Sequence, residues 1–414
     1  MATVNTKTTL DTAFKYAVAS KITKLMPDNT ELLRSTKLEA AQKTGRKYLC
    51  PVALTFENGV TYGDDTAFTL EDAVAGVYDE IELDSAPVIL RSQVAQSAAN
   101  RMANDEKAFV TWAWLRSENM FKSLAKRAEI EMWYGKTGLG KVSGITAAGA
   151  GTETITLTAA TWAPGIWSGM EGAKIEVRNG ASGVAGHTSN TLTISSVNYT
   201  NRTLTVVGNI TELGNVAATH DIYFRGAYTN GMNGVDKQMT NSGTLFGIDA
   251  ATYALWRSES HSAESGALNM SKILKGVSKA VGKGGLDEMV KLYVASLTYE
   301  NLNSDFGALR ALDSSYSKSK GENGVERIEY VGQNGKIEVV PCSFIKEGES
   351  FILPPGAVTR VGAKDLTFDT GYGNEEFFLP LAGTAGYELR CQYDFAVLIK
   401  APAKCVKITT IVNS

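Results

Sequence analysis

The sequence predicts an α+β chain of several units with an all-β block set into it, and three observations carry that reading. From Ser92 to Tyr134 there is neither Gly nor Pro, while Val94, Ala98, Met102, Phe109, Trp112, Met120, Leu124, Ala128 and Met132 keep helical spacing. Between Val142 and Tyr228 the text turns to Thr, Gly, Asn and Ala with short β-type runs. The remainder alternates amphipathic helical stripes with strand-like runs. A chain of 414 residues, at about 150 per domain, holds two to four such units. That size buries a sizeable core without disulfides or a structural metal.

Taken in order, residues 1–47 hold nine basic and four acidic side chains, with Leu10, Phe14, Ala17 and Val18 at helical spacing before Pro27. They read as an arm with one short helix. From Tyr48 to Leu90, CPVALTFENGVTYGDDTAFTL alternates apolar and polar residues around a turn-rich tip at Tyr62-Gly63-Asp64-Asp65, and EIELDSAPVIL extends again. This is a hairpin-like excursion with nine acids and no Lys or Arg, so it cannot balance its own charge. The Gly- and Pro-free run, with Ser92 as N-cap and Gly135 as terminator, would form a helix about 65 Å long. Such a length braces an extended slab better than it fits one compact domain.

ETITLTAA, AKIEVRN, NTLTISSVNY, RTLTVVGNI and DIYFRGAY then come at sandwich or barrel spacing. Met270, Ile273, Leu274, Val277 and Val281 mark a helix ended at Gly282 and Gly284-Gly285, VKLYVA a buried strand, and Leu302, Phe306 and Leu309 a second helix. Asn334-Gly335 suits a primed hairpin turn within ERIEYVGQNGKIEVV. EEFFLPL, YELRCQYDFAVLIK and CVKITTIV read as strands that close an earlier sheet.

Chemistry is thinly supplied. His187, His220 and His261 are the only histidines, and His187 and His220 have no carboxylate or thiol at ligand spacing, so neither a metal site, a catalytic residue nor a cofactor is expected. Cys50, Cys342, Cys391 and Cys405 are widely separated and read as buried apolar thiols. Gly135-Lys-Thr-Gly-Leu-Gly-Lys141-Val142 nearly matches the phosphate loop but ends on Val where Mg²⁺ needs a hydroxyl, and it follows a helix. Gly282-Lys-Gly-Gly lacks the strand, turn and helix order of a dinucleotide site. His261, beside Ser260 and Ser262, reads as a solvated loop histidine, and Trp112, Trp114 and Trp133 as packing residues rather than a base-stacking platform. The opening residues carry no secretory pattern, and no apolar run reaches membrane-spanning length, so no membrane partner is expected. A net charge of −3 excludes a uniform electrostatic footprint.

The order of a charged arm, an acidic excursion, a brace-length helix, an α+β unit and closing strands resembles the major capsid protein of tailed double-stranded DNA bacteriophages, the Hong Kong 97 fold. Its most specific text is Pro51-VALTFENGVTYG-Asp64 with AFTL and VILRSQ, together with SSYSKSKGENGVERIEYVGQNGKIEVVP and AGYELRCQYDFAVLIKAPAKCVKIT. The resemblance implies an N-arm at 1–47, an extended loop at 48–91, a spine helix and linker at 92–142, and a peripheral return at 229–250. It further implies an axial domain at 251–375 and closing peripheral strands at 376–414, with the all-β block at 143–228 as an insertion. It implies self-assembly as hexamers and pentamers into an icosahedral shell in the virion, built in the host bacterial cytoplasm. Scaffolding, portal and cement or decoration proteins would be partners, with packaged DNA in non-specific proximity. An encapsulin-like compartment subunit, or a β-rich surface protein, is the alternative.

Charge fits this picture. From Arg91 to Lys136 there are eight cations and five acids, so arm and helix are cationic while the excursion is anionic. The resemblance implies that the extended loop lies across an adjacent subunit, so Asp64, Asp65, Glu71 and Asp72 are expected to dock on that neighbour's arm and spine cations such as Arg116, Lys122, Lys126 or Arg127. Some members of the family join subunits by an isopeptide bond from a loop lysine. No Lys occurs from Tyr48 to Glu106, so that linkage is not expected.

Overall fold

In the computed structural model the described residues are 30–39, 42–44, 47–65, 67–96, 106–149, 152–180, 182–183, 192–208, 216–312, 328–369, 378–381 and 383–413. The expected arm helix before Pro27 and His187 lie outside them, as do the side chains of Trp112 and Trp114.

The chain enters through a one-turn helix α1 (Glu31–Ser35) and strands β1 (Leu38–Glu39) and β2 (Gln42–Thr44). Strands β3 (Lys47–Ala53) and β4 (Tyr78–Asp84) form the root of the excursion, and β5 (Ala86–Ala95) leads on to helix α2 (Glu106–Tyr134). Ser92 is thus a strand residue rather than a helix cap. The Gly- and Pro-free stretch divides because the Val88, Leu90, Ser92, Val94 alternation meets a partner strand running through Tyr393, Cys391, Leu389 and Tyr387. Twenty-nine helical residues give a rod of about 43 Å, shorter than the sequence expected. The helix ends as Lys136 turns to φ 59, and Gly135 must be glycine because a Cβ there would lie 2.4 Å from the carbonyl oxygen of Met232.

The all-β block is a barrel. Strands β6 (Gly140–Gly149), β7 (Thr152–Leu157), β8 (Lys174–Asn179), β9 (Ser182–Gly183), β10 (Leu192–Asn198), β11 (Thr203–Val207) and β12 (Asp221–Phe224) run in the order β10-β11-β7-β6-β12-β8-β9, and β10 also pairs β8. That last pairing closes a ring of six strands, leaving no open edge among them. Alternate residues point inward, with Val142, Ile155, Ile175, Val177, Ile194, Leu204 and Ile222 buried. Their cluster is continuous with Trp133 and Tyr134 at the end of α2, so barrel and helix share one core.

After helix α3 (Val235–Met239) and the small hairpin β13 (Thr244–Leu245) with β14 (Ile248–Asp249) comes an α+β unit. It comprises β15 (Glu259–Ser262), α4 (Met270–Gly284), β16 (Val290–Val294), α5 (Ser296–Leu312), β17 (Ile328–Gly332), β18 (Gly335–Pro341) and β19 (Ser350–Leu353). Asn269 caps α4 by accepting from the Lys272 amide at 3.0 Å, and Gly285 at φ 61 ends it. In the β17–β18 hairpin only Gly335 is left-handed, at φ 100, with Gln333 and Asn334 as the two-residue turn. Asn334 is instead buried, donating to the Glu288 carbonyl at 2.9 Å, so it anchors the turn sideways.

The remaining strands are β20 (Val358–Phe368), β21 (Phe378–Pro380), β22 (Gly386–Ile399) and β23 (Val406–Thr409). The sequence expects the final strands together, but the topology divides them. β20 and β22 join β1, β5 and β21 in a five-stranded sheet under α2, whereas β23 sits in the six-stranded sheet β15-β23-β19-β16-β18-β17. The alternation of β16 explains how the second sheet serves two cores: Leu292 faces α4 and α5, while Tyr293 faces α2. The Trp133 ring meets Tyr293 and Phe351 at 5.1 and 5.3 Å between centroids, fastening the helix to this sheet.

Two buried ionic centres tie these parts together. Glu129 on α2, fully buried, accepts from the amides of Leu32 and Leu33 at 3.0 and 2.7 Å and from the Trp133 indole at 3.0 Å, so it holds α1 by its first turn. Lys407 on β23 donates to Asp236 on α3 and, at 2.8 Å, to Glu349 before β19. Both are carboxylate-containing centres inside the protein, where an unpaired charge is costly.

Candidate docking surfaces

The excursion is rooted in an antiparallel ladder. β3 and β4 pair without a break from Lys47 opposite Asp84 to Ala53 opposite Tyr78, with Tyr48, Ile81 and Leu83 buried. Beyond Leu54 the limbs continue extended, joined by Leu54 N–H to the Val77 carbonyl at 2.8 Å and Asn58 N–H to Val74 at 2.9 Å. Thr55 and Thr61 hydroxyls accept from the amides of Val77 and Glu71. Large apolar side chains there face water: Phe56 is 81%, Tyr62 94% and Leu70 76% exposed, with Val60, Phe68 and Val74 also outward. Asp64, Asp65, Glu71 and Asp72 are exposed on the same segment. Several large apolar side chains exposed on one segment are a feature of interaction surfaces.

The sequence-expected cations lie on α2. Lys122, Lys126 and Arg127 line one groove, of about 250 Å³, between α2, the Val88–Leu90 stretch of β5 and the turn at Ser168–Ala173 on the barrel. Lys122 lies 3.4 Å from Glu118 one turn earlier. Lys126 donates to the Ser168 carbonyl, and burial, opposed by Glu171, brings its ammonium down to about 8. Arg127 is turned inward: its guanidinium lies 3.2 Å from the centroid of the Phe224 ring and 3.8 Å from Glu131. Arg116 does not line the groove and bonds the Ser92 hydroxyl at 2.6 Å against β5, where burial lowers its pKa. The apolar side of both surfaces escaped a reading made on charge. Its signal was present in Phe56, Tyr62, Phe68 and Leu70, and in Ile89, which is 58% exposed beside the groove.

The segments with a chemical look resolve otherwise. In Gly135–Val142 the amides are used internally, Leu139 N–H to Ile222 at 2.7 Å and Val142 N–H to His220 at 2.9 Å, so no phosphate cradle forms. His220 is buried and accepts from the Ala217 amide at 3.1 Å. His261 lies not on a loop but in β15, opposite Ile408 of β23. All four cysteines are free thiols, and burial pushes Cys391 and Cys405 up to about 11 and about 12. Among the described residues no cluster of three His, Cys, Asp or Glu is placed to hold a metal ion, and no helix is long and apolar enough to cross a membrane.

No family model and no curated protein matches the sequence. Solved structures do: the capsid asymmetric unit of cyanophage A-1(L) superposes with a TM-score of 0.55 at 10% identity, covering 94% of this chain and 95% of that one. The chain has a Hong Kong 97-type capsid fold. The capsid of a native GTA particle is similar at a TM-score of 0.49 and 8% identity, over 95% of this chain and 94% of its own.

Proposed function

We propose that this chain is the major coat subunit of a tailed bacteriophage, assembling as hexamers and pentamers into the icosahedral shell that encloses double-stranded DNA. The observation that carries this is the capsid fold over nearly the whole chain, joined to an excursion on which Phe56, Tyr62 and Leu70 stand exposed to solvent. In this reading residues 1–47 are the N-arm, 48–91 the extended loop, 92–142 the spine and 143–228 an insertion, while the axial domain expected at 251–375 gives up β20 to the sheet under α2 and gains β23. The subunit is structural rather than catalytic, lodges in the virion, and meets scaffolding, portal and decoration proteins during assembly.

The excursion of one copy lies across the next, with Asp64, Asp65, Glu71 and Asp72 facing Lys122 and Lys126 on the groove rim. Arg116 and Arg127 act from behind by fixing the rim. Exposed pairs contribute only about 0.2–1 kcal/mol each, so the acids set register, and burial of Phe56, Tyr62 and Leu70 supplies most of the affinity. The test is negative-stain imaging of the chain expressed with its neighbouring genes, beside a variant with the four acids reversed to Lys. Closed shells from the parent and aberrant or absent shells from the variant are expected. Identical shells from both would refute the docking, and no shells from either would refute the coat reading. DNA in nuclease-treated parent particles, rather than protein cargo, separates the phage shell from a protein compartment.

A further inference from the structure

Helix α4 carries Lys272, Lys275, Lys279 and Lys283 and no acid. Steps of three and four residues put the lysines on one stripe, which the helical rise makes about 16 Å long. Its other face, with Ile273, Val277 and Ala280, is buried against the six-stranded sheet. Across residues 257–285 five cations, Arg257 included, stand against two carboxylates, Glu259 and Glu264.

The ammonium groups are held in place. Lys272 donates to the Ala267 carbonyl at 2.9 Å, Lys279 to Ser260 at 2.7 Å, and Lys283 to Arg257 at 2.6 Å and to Glu259 at 2.9 Å. Carbonyl acceptors orient the ammonium groups of Lys272 and Lys279 without cancelling their charge and leave each two N–H donors, whereas Lys283 is paired with Glu259 and keeps one. His261, on the adjoining edge strand β15, reports the field: after burial, Lys279 and Lys275 hold its imidazole below the ordinary range, against Glu264. Two carboxylates do not neutralise the stripe.

The ground between the lysines is small and polar, with Ser271 and Ser278 exposed and Gly282 beside them. A protein-binding surface has an apolar, aromatic centre from which lysine is depleted. A lysine row on smooth polar ground is suited to a chain of phosphates, which needs charge and close approach but no pocket.

We propose that the α4 stripe is a duplex-DNA contact that engages phosphates without reading sequence. The proposal rests on the coat reading, which brings a DNA duplex within reach of the chain. The test titrates the purified full-length chain with a fluorescent duplex of about 30 base pairs between 50 and 200 mM NaCl, conditions over which counterion release is measurable. Three phosphate contacts, from Lys272, Lys275 and Lys279, give a slope of log K against log salt of about −2.7. Lys275→Gln with Lys279→Gln is expected to reduce that slope by about 2 and affinity at 100 mM by about tenfold or more, while Lys275→Arg with Lys279→Arg retains both. An unchanged slope in the Gln variant overturns the proposal. So does tighter binding of poly-glutamate than of duplex, which would assign the stripe to an acidic protein. Shells that still form from the Gln variant would leave the coat reading standing whichever way this result falls.

Discussion

Replacing Glu129 with Gln should remove a specific part of the protein's pH dependence. The carboxyl is fully buried, and burial raises it from an ordinary 4.5 to about 7 despite three donors aimed at it. A raised acid binds its proton more tightly in the folded than in the unfolded chain, so its contribution is complete below about pH 4.5 and is lost as pH rises through about 7. The interval of about 2.5 units corresponds to about 3 kcal/mol, as an order of magnitude. The amide introduced by Glu129→Gln would be neutral throughout, but its nitrogen would face one of the Leu32, Leu33 or Trp133 donors. That mismatch costs about 1–3 kcal/mol at every pH. Urea unfolding of the unassembled full chain at pH 5, 6, 7 and 8, followed by tryptophan fluorescence, gives the comparison. The parent should exceed Glu129→Gln in stability at pH 5, and the gap should shrink by about 3 kcal/mol by pH 8. A gap constant across this range would refute the account of a carboxyl whose ionisation opposes its burial.

Lys407→Met leaves Asp236 and Glu349 as unpaired buried carboxylates and should cost about 3–5 kcal/mol, read as a lowered thermal midpoint. Adding Asp236→Asn and Glu349→Gln should recover much of that loss. Ile155→Ala, inside the barrel, should cost about 2–5 kcal/mol and lower one cooperative transition of barrel and α2 together, because they share a core. A separate early transition by calorimetry would contradict this. Boiled mature particles should run as monomers on a denaturing gel, since no lysine lies between Tyr48 and Glu106, and a covalent ladder would show otherwise.

Local pattern carried far into this fold. The spacing from Met120 to Met132 found the part of α2 that packs, the stripe of Met270 to Val281 found α4, and alternation in ETITLTAA and RTLTVVGNI found barrel strands that pair directly. Where pattern failed, the deciding partner was remote in sequence. Ser92 has a good capping side chain, but the strand at Gly386–Ile399 claims its backbone. CVKITTIV reads as one more closing strand, and only its pairing with Glu259–Ser262 and Ser350–Leu353 assigns it to the other sheet. Glu129 and Lys407 were missed for a related reason, since a buried charge is recognisable only with its partners. The one local hint was a carboxylate set between the apolar Ala128 and Ile130. Of the docking surfaces, the acids were legible because charge is additive along a segment. The groove was not, because three elements far apart in the chain build it.

The placement of β22 and β23 has a consequence for the order of events during synthesis. β5 completes its pairing only with residues almost 300 positions later, and β15 waits similarly for β23. At about 5–20 residues per second a ribosome leaves β5 unpartnered for roughly 15–60 s. The excursion is therefore translated long before the groove wall on the same chain can form. Under the docking proposed above, a nascent chain would present its loop before its own groove is complete, so finished subunits would be the recipients.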